Sequence, residues 1–372
     1  MKAIGLILAG GNSSRMKELT YRRAVAAMPV AGHYRAIDFA LSNMTNSHIH
    51  KVAVLTQYSS RSLNEHLNSS KWWDFGRKQG GLSVFTPTIT RDNGYWYRGT
   101  ADAIYQNLDY LRRSHEPYVI LAGGDAVYKL NYNDVLDYHI QKQADITVVC
   151  KTLKPDEDPT RFGTVKMDEN MRIWELEEKP VVATSNTVSA GIYVVRRRML
   201  IEMIEKCAEE GRYDFVTDIL IRYRNLKKIY GYKIHDYWSN ISTVEAYYQT
   251  NMDFLKEEVR NYFFKEHPDV YSKVSDLPPA KYNQGAYVRN CLIGSGSIIN
   301  GSLENSVLFK KVYVGERCVI RNSIILNDVY LGDNVYIENC IVESRNTIQS
   351  NMRYVGENGV KVVMEKNERY AL

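Results

Sequence analysis

A short apolar run, Ile4-Gly5-Leu6-Ile7-Leu8, leads into Gly10-Gly11 and, past Asn12-Ser13-Ser14, to Arg15. A buried strand ending in a glycine turn brings backbone N–H groups close to phosphate oxygens. A basic side chain just beyond the turn is placed to stabilise charge on a transferring phosphoryl group. The chemistry indicated is phosphate binding, although a glycine turn by itself does not separate that role from a plain chain reversal. Two more apolar runs, Lys51-Val52-Ala53-Val54-Leu55 and Tyr118-Val119-Ile120-Leu121-Ala122, end in polar or glycine turns of a similar kind.

These turns need elements to hold them. Between the second and third runs, apolar residues at Ala103, Ile104, Leu108 and Leu111 predict a helix over 101–111. Short buried strands alternating with helices predict an α/β domain with a mostly parallel sheet over residues 1–255. Ligands of such domains gather at the carboxyl ends of the strands. Residues 256–284 are charged, contain Pro268 and Pro278-Pro279, and lack strong periodicity, which reads as a linker. Residues 285–372 hold an internal repeat. VYVGERCVIRNSIILND (312–328) aligns without a gap on VYLGDNVYIENCIVESR (329–345), a period of 17. Val312, Cys318, Ile324, Val329, Val335 and Ile341 recur every five or six residues, and a looser copy begins near Ile293-Gly294. Small aliphatic residues at a hexad spacing predict a parallel β-helix of triangular coils, with flat faces suited to oligomerisation.

Bulk properties narrow the function. The chain has 372 residues, 44% of them hydrophobic, with 48 Lys and Arg against 43 Asp and Glu. That composition indicates a globular protein of about two domains. There is no polybasic tract, so neither nucleic acid nor membrane is expected as a partner, while a mild basic excess suits anionic phosphate ligands. The five cysteines (Cys150, Cys207, Cys291, Cys318, Cys340) are scattered and never spaced C-x-x-C, which argues against disulfides and zinc sites. The apolar run at the start is too short for a signal peptide or a membrane span, and a cytoplasmic location is expected. Trp72-Trp73 and the many tyrosines carry no motif of their own and are expected in the core or at interfaces.

Several further segments share an order. They are LILAGGNSSRMKELTYRRA (6–24), YRAIDFALSN (34–43), VLTQY (54–58), WYRGTADAIYQN (96–107), LAGGDAVYK (121–129), RFG (161–163), ELEEKP (175–180), SAGIY (189–193), YDFVTDIL (213–220) and YWSNISTVEAYYQTNMDFL (237–255). In this order, ahead of hexapeptide repeats, the chain resembles the bacterial glucose-1-phosphate adenylyltransferases (ADP-glucose pyrophosphorylases) over essentially its whole length. The resemblance implies a Rossmann-like nucleotide-diphospho-sugar transferase domain followed by a left-handed parallel β-helix. It also implies chemistry in which glucose 1-phosphate attacks the α-phosphorus of ATP, with Mg²⁺ as cofactor, to give ADP-glucose and pyrophosphate for glycogen synthesis. Catalysis of that kind is mainly positioning and charge neutralisation.

Carried over position by position, Arg15 and Asp125 take the catalytic roles, Arg15 on phosphate and Asp125 on the metal. Gly10, Gly11, Gln57, Gly99 and Thr100 form the nucleotide-binding set. Tyr97, Gly163, Glu178, Lys179 and Ser189 form the sugar-phosphate set. Arg22, Arg23, Arg35 and Arg113 fall at or beside positions where the family binds anionic effectors, and would serve equally as surface or inter-domain ion pairs.

The chain also departs from the pattern. Ser13 replaces a glycine of G-G-x-G-x-R, which adds a Cβ where backbone approaches phosphate and where a positive φ is expected. Val25 stands at the lysine of R-A-K-P-A, Thr217 at the lysine of D-F-G-K-D, and Ala126 at a histidine after the GD aspartate. Asn240 replaces the second metal-binding aspartate in Trp238-Ser239-Asn240-Ile241-Ser242-Thr243, where the family has W-x-D-V-G-T. These losses resemble the GlgD-type subunits. They imply a regulatory, catalytically weak chain that binds sugar phosphate or nucleotide ligands and pairs with a catalytic GlgC-type subunit in a heterotetramer. The competing expectation is an active adenylyltransferase in its own right.

Overall fold

The computed structural model describes residues 3–11, 13–76, 80–88 and 94–365. The chain divides into two compact units. The first comprises Met1–Gly11, Ala40–Ser60 and Leu67–Trp238, and the second Asn12–Phe39, Arg61–His66 and Ser239–Leu372.

The first unit is built on a nine-stranded sheet. Its strands are β1 (Ala3–Leu8), β2 (Lys51–Leu55), β3 (Gly81–Phe85), β4 (Tyr118–Gly123), β5 (Ile146–Thr152), β6 (Gly163–Met167), β7 (Ile173–Glu178), β8 (Thr187–Arg196) and β9 (Ile229–Ile234). Ala3, Ile4, Leu6 and Ile7 of β1 are all buried, as expected of a parallel strand covered on both faces. The order β3-β2-β1-β4 is parallel throughout, and β8 then continues the sheet antiparallel to β4. β5 and β6 both pair with β8, β7 extends from β6, and β9 lies parallel to β5. Strand order reverses between β1 and β4, so a crevice opens at their carboxyl ends. The three apolar runs read from the sequence are β1, β2 and β4.

The helix expected over 101–111 is two helices, α1 (Thr100–Tyr105) and α2 (Leu108–Arg112). The break lies at Asn107, whose side-chain amide donates to the Ala103 carbonyl at 2.8 Å and to the Tyr97 hydroxyl at 2.9 Å. An asparagine that bonds locally in this way competes with the helical ladder.

The second unit contains the left-handed β-helix. Tyr313 pairs with Tyr330 and Tyr330 with Thr347, Ile320 pairs with Ile337, and Ile324 pairs with Ile341, so the 17-residue repeat is the register of stacked coils. Three hexads would need 18 residues. The corners explain the shortfall, because left-handed backbone recurs at Lys311, Arg317, Asn322, Asp328, Asn334, Asn339, Arg345 and Asn351. In each coil two of the intervals between corners are therefore six residues long and the third is five. Asparagine and aspartate tolerate that conformation better than other non-glycine residues. Ile299, Leu303, Val314, Ile320, Leu331, Ile337 and Ile348 fill the coil interior. Outside, the Tyr313 and Tyr330 rings stack at 4.7 Å and the Asn334 amide donates to Asn351 at 3.1 Å.

The stretch read as a linker carries a helix, Glu257–Phe264, in the same unit. Val259 and Phe263, four residues apart, turn inward, and Phe263 packs edge-on to Phe39 at 5.4 Å. Two apolar side chains were enough to bury one face of a charged segment. Among the described residues no helix is long and apolar enough to cross a membrane, and all five cysteines are free thiols.

One buried group ties the first unit to pH. His139, on the helix Tyr132–Gln141, is 1% exposed, and its Nδ1 lies 2.8 Å from the Thr147 hydroxyl. Burial pushes its pKa down to about 4, so it is neutral in the folded chain. In the unfolded chain it takes a proton near its ordinary value of 6.5. Its contribution to stability is therefore complete above that value and is lost as pH falls from 6.5 towards 4, by on the order of 2 kcal/mol. Urea unfolding at pH 7.5 and pH 5 should show a smaller loss on acidification in His139→Gln than in the parent. Identical pH dependence in both would show that His139 is not the group responsible.

Candidate functional site

The reversal between β1 and β4 places two predicted motifs side by side. Leu8 is the register partner of Gly123, and the Gly124 amide donates to the Leu8 carbonyl at 3.0 Å. The glycine turn after β1 and the turn carrying Asp125 after β4 thus leave the sheet together. Gly10 is packed, since a Cβ there would meet the backbone nitrogen of Gln57 at 3.3 Å. Gly11 is exposed and would place a Cβ in open space. Of the two, Gly10 serves the fold and Gly11 faces outward. A Cβ on Gly123 would sit 2.9 Å from Asp125 Oδ1, so that glycine makes room for the carboxylate.

The expected nucleotide-binding residues are organised around one loop. Gln57 is buried and uses both ends of its amide on Tyr97, accepting from the Tyr97 N–H at 2.6 Å and donating to its carbonyl at 3.1 Å. In this geometry Gln57 acts as a clamp that positions the loop. The Gly99 backbone is fully extended and lies against Tyr213, where a Cβ would come within 2.3 Å of the Tyr213 carbonyl oxygen. That carbonyl accepts the Ala101 amide at 2.8 Å. The Thr100 hydroxyl accepts from the Phe215 amide at 2.8 Å and lies 3.3 Å from Asp214. Tyr97 itself is buried, and burial raises its hydroxyl pKa while the Asn107 amide opposes the shift.

Four of the five expected sugar-phosphate residues, all but Tyr97, converge. Gly163 and Glu178 are register partners on β6 and β7, and a Cβ on Gly163 would lie 2.9 Å from Glu178 Oε2 and 3.9 Å from the Ser189 Cβ. Lys179 adopts a left-handed backbone (φ 47°), donates its amide to the Phe162 carbonyl at 3.1 Å, and pairs its ammonium with Glu178 at 3.2 Å. Ser189 is buried beside the Tyr193 hydroxyl at 3.1 Å. The register of β8 against β5 shifts between Ser189 and Tyr193, and Gly191 inside that bulge has φ +72°. Bulges of this kind re-aim side chains beside sites.

The remaining predicted residues lie elsewhere. Arg113 is exposed on the first unit, 4.0 Å from Asp109. The others belong to the second unit. Arg15 is exposed near the start of the 3₁₀ segment Ser14–Thr20, and Arg22 is exposed. Arg23 is ion-paired with the buried Glu343, whose pKa is raised by burial and opposed by Arg23. Arg35 donates to the Ser62 carbonyl at 2.7 Å and its hydroxyl at 3.0 Å, and burial lowers its pKa. Ser13, where a positive φ was expected, is extended at φ −125°, so serine carries no strain there. Asn12 lies outside the described residues.

The departures also have places. Val25 is 4% exposed and part of the core, Ala126 is buried, and Thr217 is exposed with its amide bonded to Asp214 at 2.8 Å. The Asn240 amide oxygen accepts from the Ser242 amide at 3.0 Å, a local turn. Among the described residues no group of three or more His, Cys, Asp or Glu could hold a metal ion. Mg²⁺, however, is commonly held by one or two carboxylates together with substrate phosphates. Asp125 fits the minimum of that set.

Sequence reasoning missed Arg98, Asn107, Tyr213 and Gly191. The Arg98 guanidinium lies 3.8 Å from the Tyr213 ring centroid and donates to its hydroxyl at 2.8 Å, while its own amide donates to the buried Asp102 at 2.8 Å. Gly191 lay inside a quoted motif, and a glycine within an apolar strand is the signal of a bulge.

Known proteins resemble this chain over most of its length. The nucleotidyl transferase family profile matches residues 4–257, and the GlmU-like C-terminal hexapeptide profile matches residues 278–364. The chain is 38% identical over 322 residues to a glucose-1-phosphate adenylyltransferase of Pseudothermotoga lettingae, covering 86% of this chain and 76% of that protein. It is 39% identical over 320 residues to the same-named protein of Clostridium acetobutylicum (85% and 84% covered), and 37% identical over 323 residues to that of Geobacillus stearothermophilus (86% and 83%).

The close approach at Gly99 has a measurable consequence. Gly99→Ala should push the 99–102 turn off Tyr213 and cost about 2–4 kcal/mol in urea unfolding, by overpacking and the loss of backbone hydrogen bonds. A loss below about 0.5 kcal/mol, the range of an ordinary surface change, would mean that the turn tolerates the methyl group.

Proposed function

The chain belongs to the glucose-1-phosphate adenylyltransferase family, and from that premise we propose that it is a regulatory, catalytically weak or inactive subunit of GlgD type. It works beside a catalytic GlgC-type subunit in a heterotetramer. The observation that carries this reading is the fate of the family's charges. Val25 is buried in the core at the lysine position, and the Asn240 amide oxygen is turned to its own backbone at the aspartate position.

In the family's reaction the sugar phosphate attacks the α-phosphorus in line, and the protein contributes positioning and charge. Here Glu178 and Lys179 hold the sugar phosphate, with Gly163 leaving room and Tyr97 fixed by Gln57 and Asn107. The glycine-turn amides after β1 would take up phosphate oxygens of the nucleotide, and Arg15 would supply positive charge. Mg²⁺, when bound, supplies neutralisation of phosphate charge. Asp125 is the residue that would hold it. Preorganised charges of this kind are worth about 2.7–4 kcal/mol each in related settings. Two lysines and a carboxylate fewer leave ligand binding on the sugar side and little for the transition state. Anionic effectors would meet the exposed Arg22 more readily than Arg23, which is paired with the buried Glu343.

The second reading, an active adenylyltransferase, draws on the retention of Arg15 and Asp125 and on relatives that carry that name. The two separate in one assay with ATP, glucose 1-phosphate and Mg²⁺, using this chain alone and mixed with a catalytic relative. The regulatory reading expects turnover by the chain alone at least about 100-fold below that relative, and higher activity in the mixture than in the relative alone. Turnover by the chain alone matching the relative's would overturn it.

Restoring charge tests the cause. Asn240→Asp with Val25→Lys should raise Mg²⁺-dependent ATP affinity severalfold in calorimetry. Asn240→Asp alone should give part of that gain, which keeps the test valid if a lysine at the buried position 25 unfolds the chain. No gain in either variant would show that these two losses are not what weakens the site.

A further inference from the structure

Three departures from the family pattern meet in the second unit. Ser13 and Ser242 stand where the pattern has glycine, and Asn240 where it has aspartate. The Ser13 hydroxyl donates to the Ser242 carbonyl at 2.6 Å, a bond spanning 229 positions. The Ser242 amide in turn donates to Asn240 Oδ1 at 3.0 Å. One residue further on, the Thr243 hydroxyl accepts the Ala246 amide at 3.1 Å and caps the helix Val244–Asp253. On the other side, the Ser13 carbonyl accepts the Met16 amide at 3.0 Å and opens the 3₁₀ segment that carries Arg15. A continuous hydrogen-bonded path thus runs from the Arg15 segment, through Ser13, to the capped end of a helix.

Neither glycine of the family pattern could make the first of these bonds from position 13, because it requires a side-chain hydroxyl. In a chain with glycine there, the exit of the loop has one fewer tie to the 240–242 turn. Ordering a loop on binding costs free energy, and a loop already held pays less of it when ligand arrives.

We propose that Ser13 is a positioning residue, whose hydroxyl latches the exit of the phosphate loop to the 240–242 turn and keeps the Arg15 segment in its binding geometry without bound nucleotide. The latch rests on the reading of this segment as phosphate-binding only for its purpose. Its existence is measured without any ligand.

The test uses the full chain as the parent, Ser13→Ala and Ser13→Thr, with amide hydrogen exchange as the first readout. Removing the hydroxyl should speed exchange in residues 14–20 and 240–246 on the order of three- to tenfold, the range of one net hydrogen bond. Ser13→Thr, which keeps the hydroxyl on an extended backbone, should return both segments to parental rates. Exchange across residues 302–342 should stay at parental rates in both variants, which shows that each is folded. Unchanged exchange at 14–20 and 240–246 in Ser13→Ala would overturn the latch. The second readout is binding of ATP with Mg²⁺, expected to weaken severalfold in Ser13→Ala and to recover in Ser13→Thr. Faster exchange with unaltered ATP binding would leave the latch standing and overturn its role in positioning the phosphate loop.

Discussion

Leu8 lies opposite Gly123 in a parallel ladder, and its carbonyl accepts the amide of Gly124. The exits of β1 and β4 therefore cannot move apart without breaking the end of the ladder. The strand order reverses at this seam, and it is at such reversals that ligands of open α/β sheets gather. Gly10 is held against Gln57 on the neighbouring strand exit, and Gln57 in turn grips the Tyr97 backbone. Three strand ends and one loop are thereby fixed by backbone contacts and a single amide side chain. A site built in this way is positioned by rigid elements, with few side chains needed to hold its shape.

Within that frame the division of labour differs from what residue types alone suggest. A glutamine in a nucleotide-binding motif invites a role in recognising a base, yet its amide oxygen and one of its N–H groups are spent on the Tyr97 backbone. Glu178 and Lys179 are the reverse case. Their pair is partly exposed, 3.2 Å apart, and stands beside the space left by Gly163. An exposed pair contributes little to stability. Its place beside that space, and the left-handed turn that presents Lys179, are better accounted for by a ligand than by the fold.

Much of this was legible in the sequence, for identifiable reasons. β1, β2 and β4 are buried on both faces and so appear as unbroken apolar runs. The β-helix repeat showed its period because each coil must set the same residues above one another, as Tyr313, Tyr330 and Thr347 do. The five-residue side that makes the coil 17 and not 18 residues long was less visible, since it resides in backbone corners and not in side-chain type. The break at Asn107 was hidden for a similar reason. Apolar spacing continued across it, while the decisive event was an amide bonding to Ala103 and to the Tyr97 hydroxyl. The helix at Glu257–Phe264 escaped notice because its inward pair, Val259 and Phe263, does not make a pattern until Phe39 is beside it. Tertiary partners supplied what local periodicity lacked.

The replaced residues show one physical trend when taken with their surroundings. Ala126 apart, each removes a charge or a glycine relative to the family pattern, and each is accommodated where it stands. Asn240 closes a turn on the Ser242 amide, the Thr217 amide is taken up by Asp214, Val25 joins the core, and Ser13 sits unstrained in an extended conformation. Random damage to a charged cleft would be expected to leave buried polar groups without partners, which costs about 1–3 kcal/mol each. At these positions the shape is kept while electrostatic force is withdrawn. A binding surface depends chiefly on shape and on a few well-placed polar groups, whereas phosphoryl transfer depends on charge aimed at the transition state. Changes that spare the first and reduce the second accord with the proposed reading, in which this chain binds ligand and a partner turns it over.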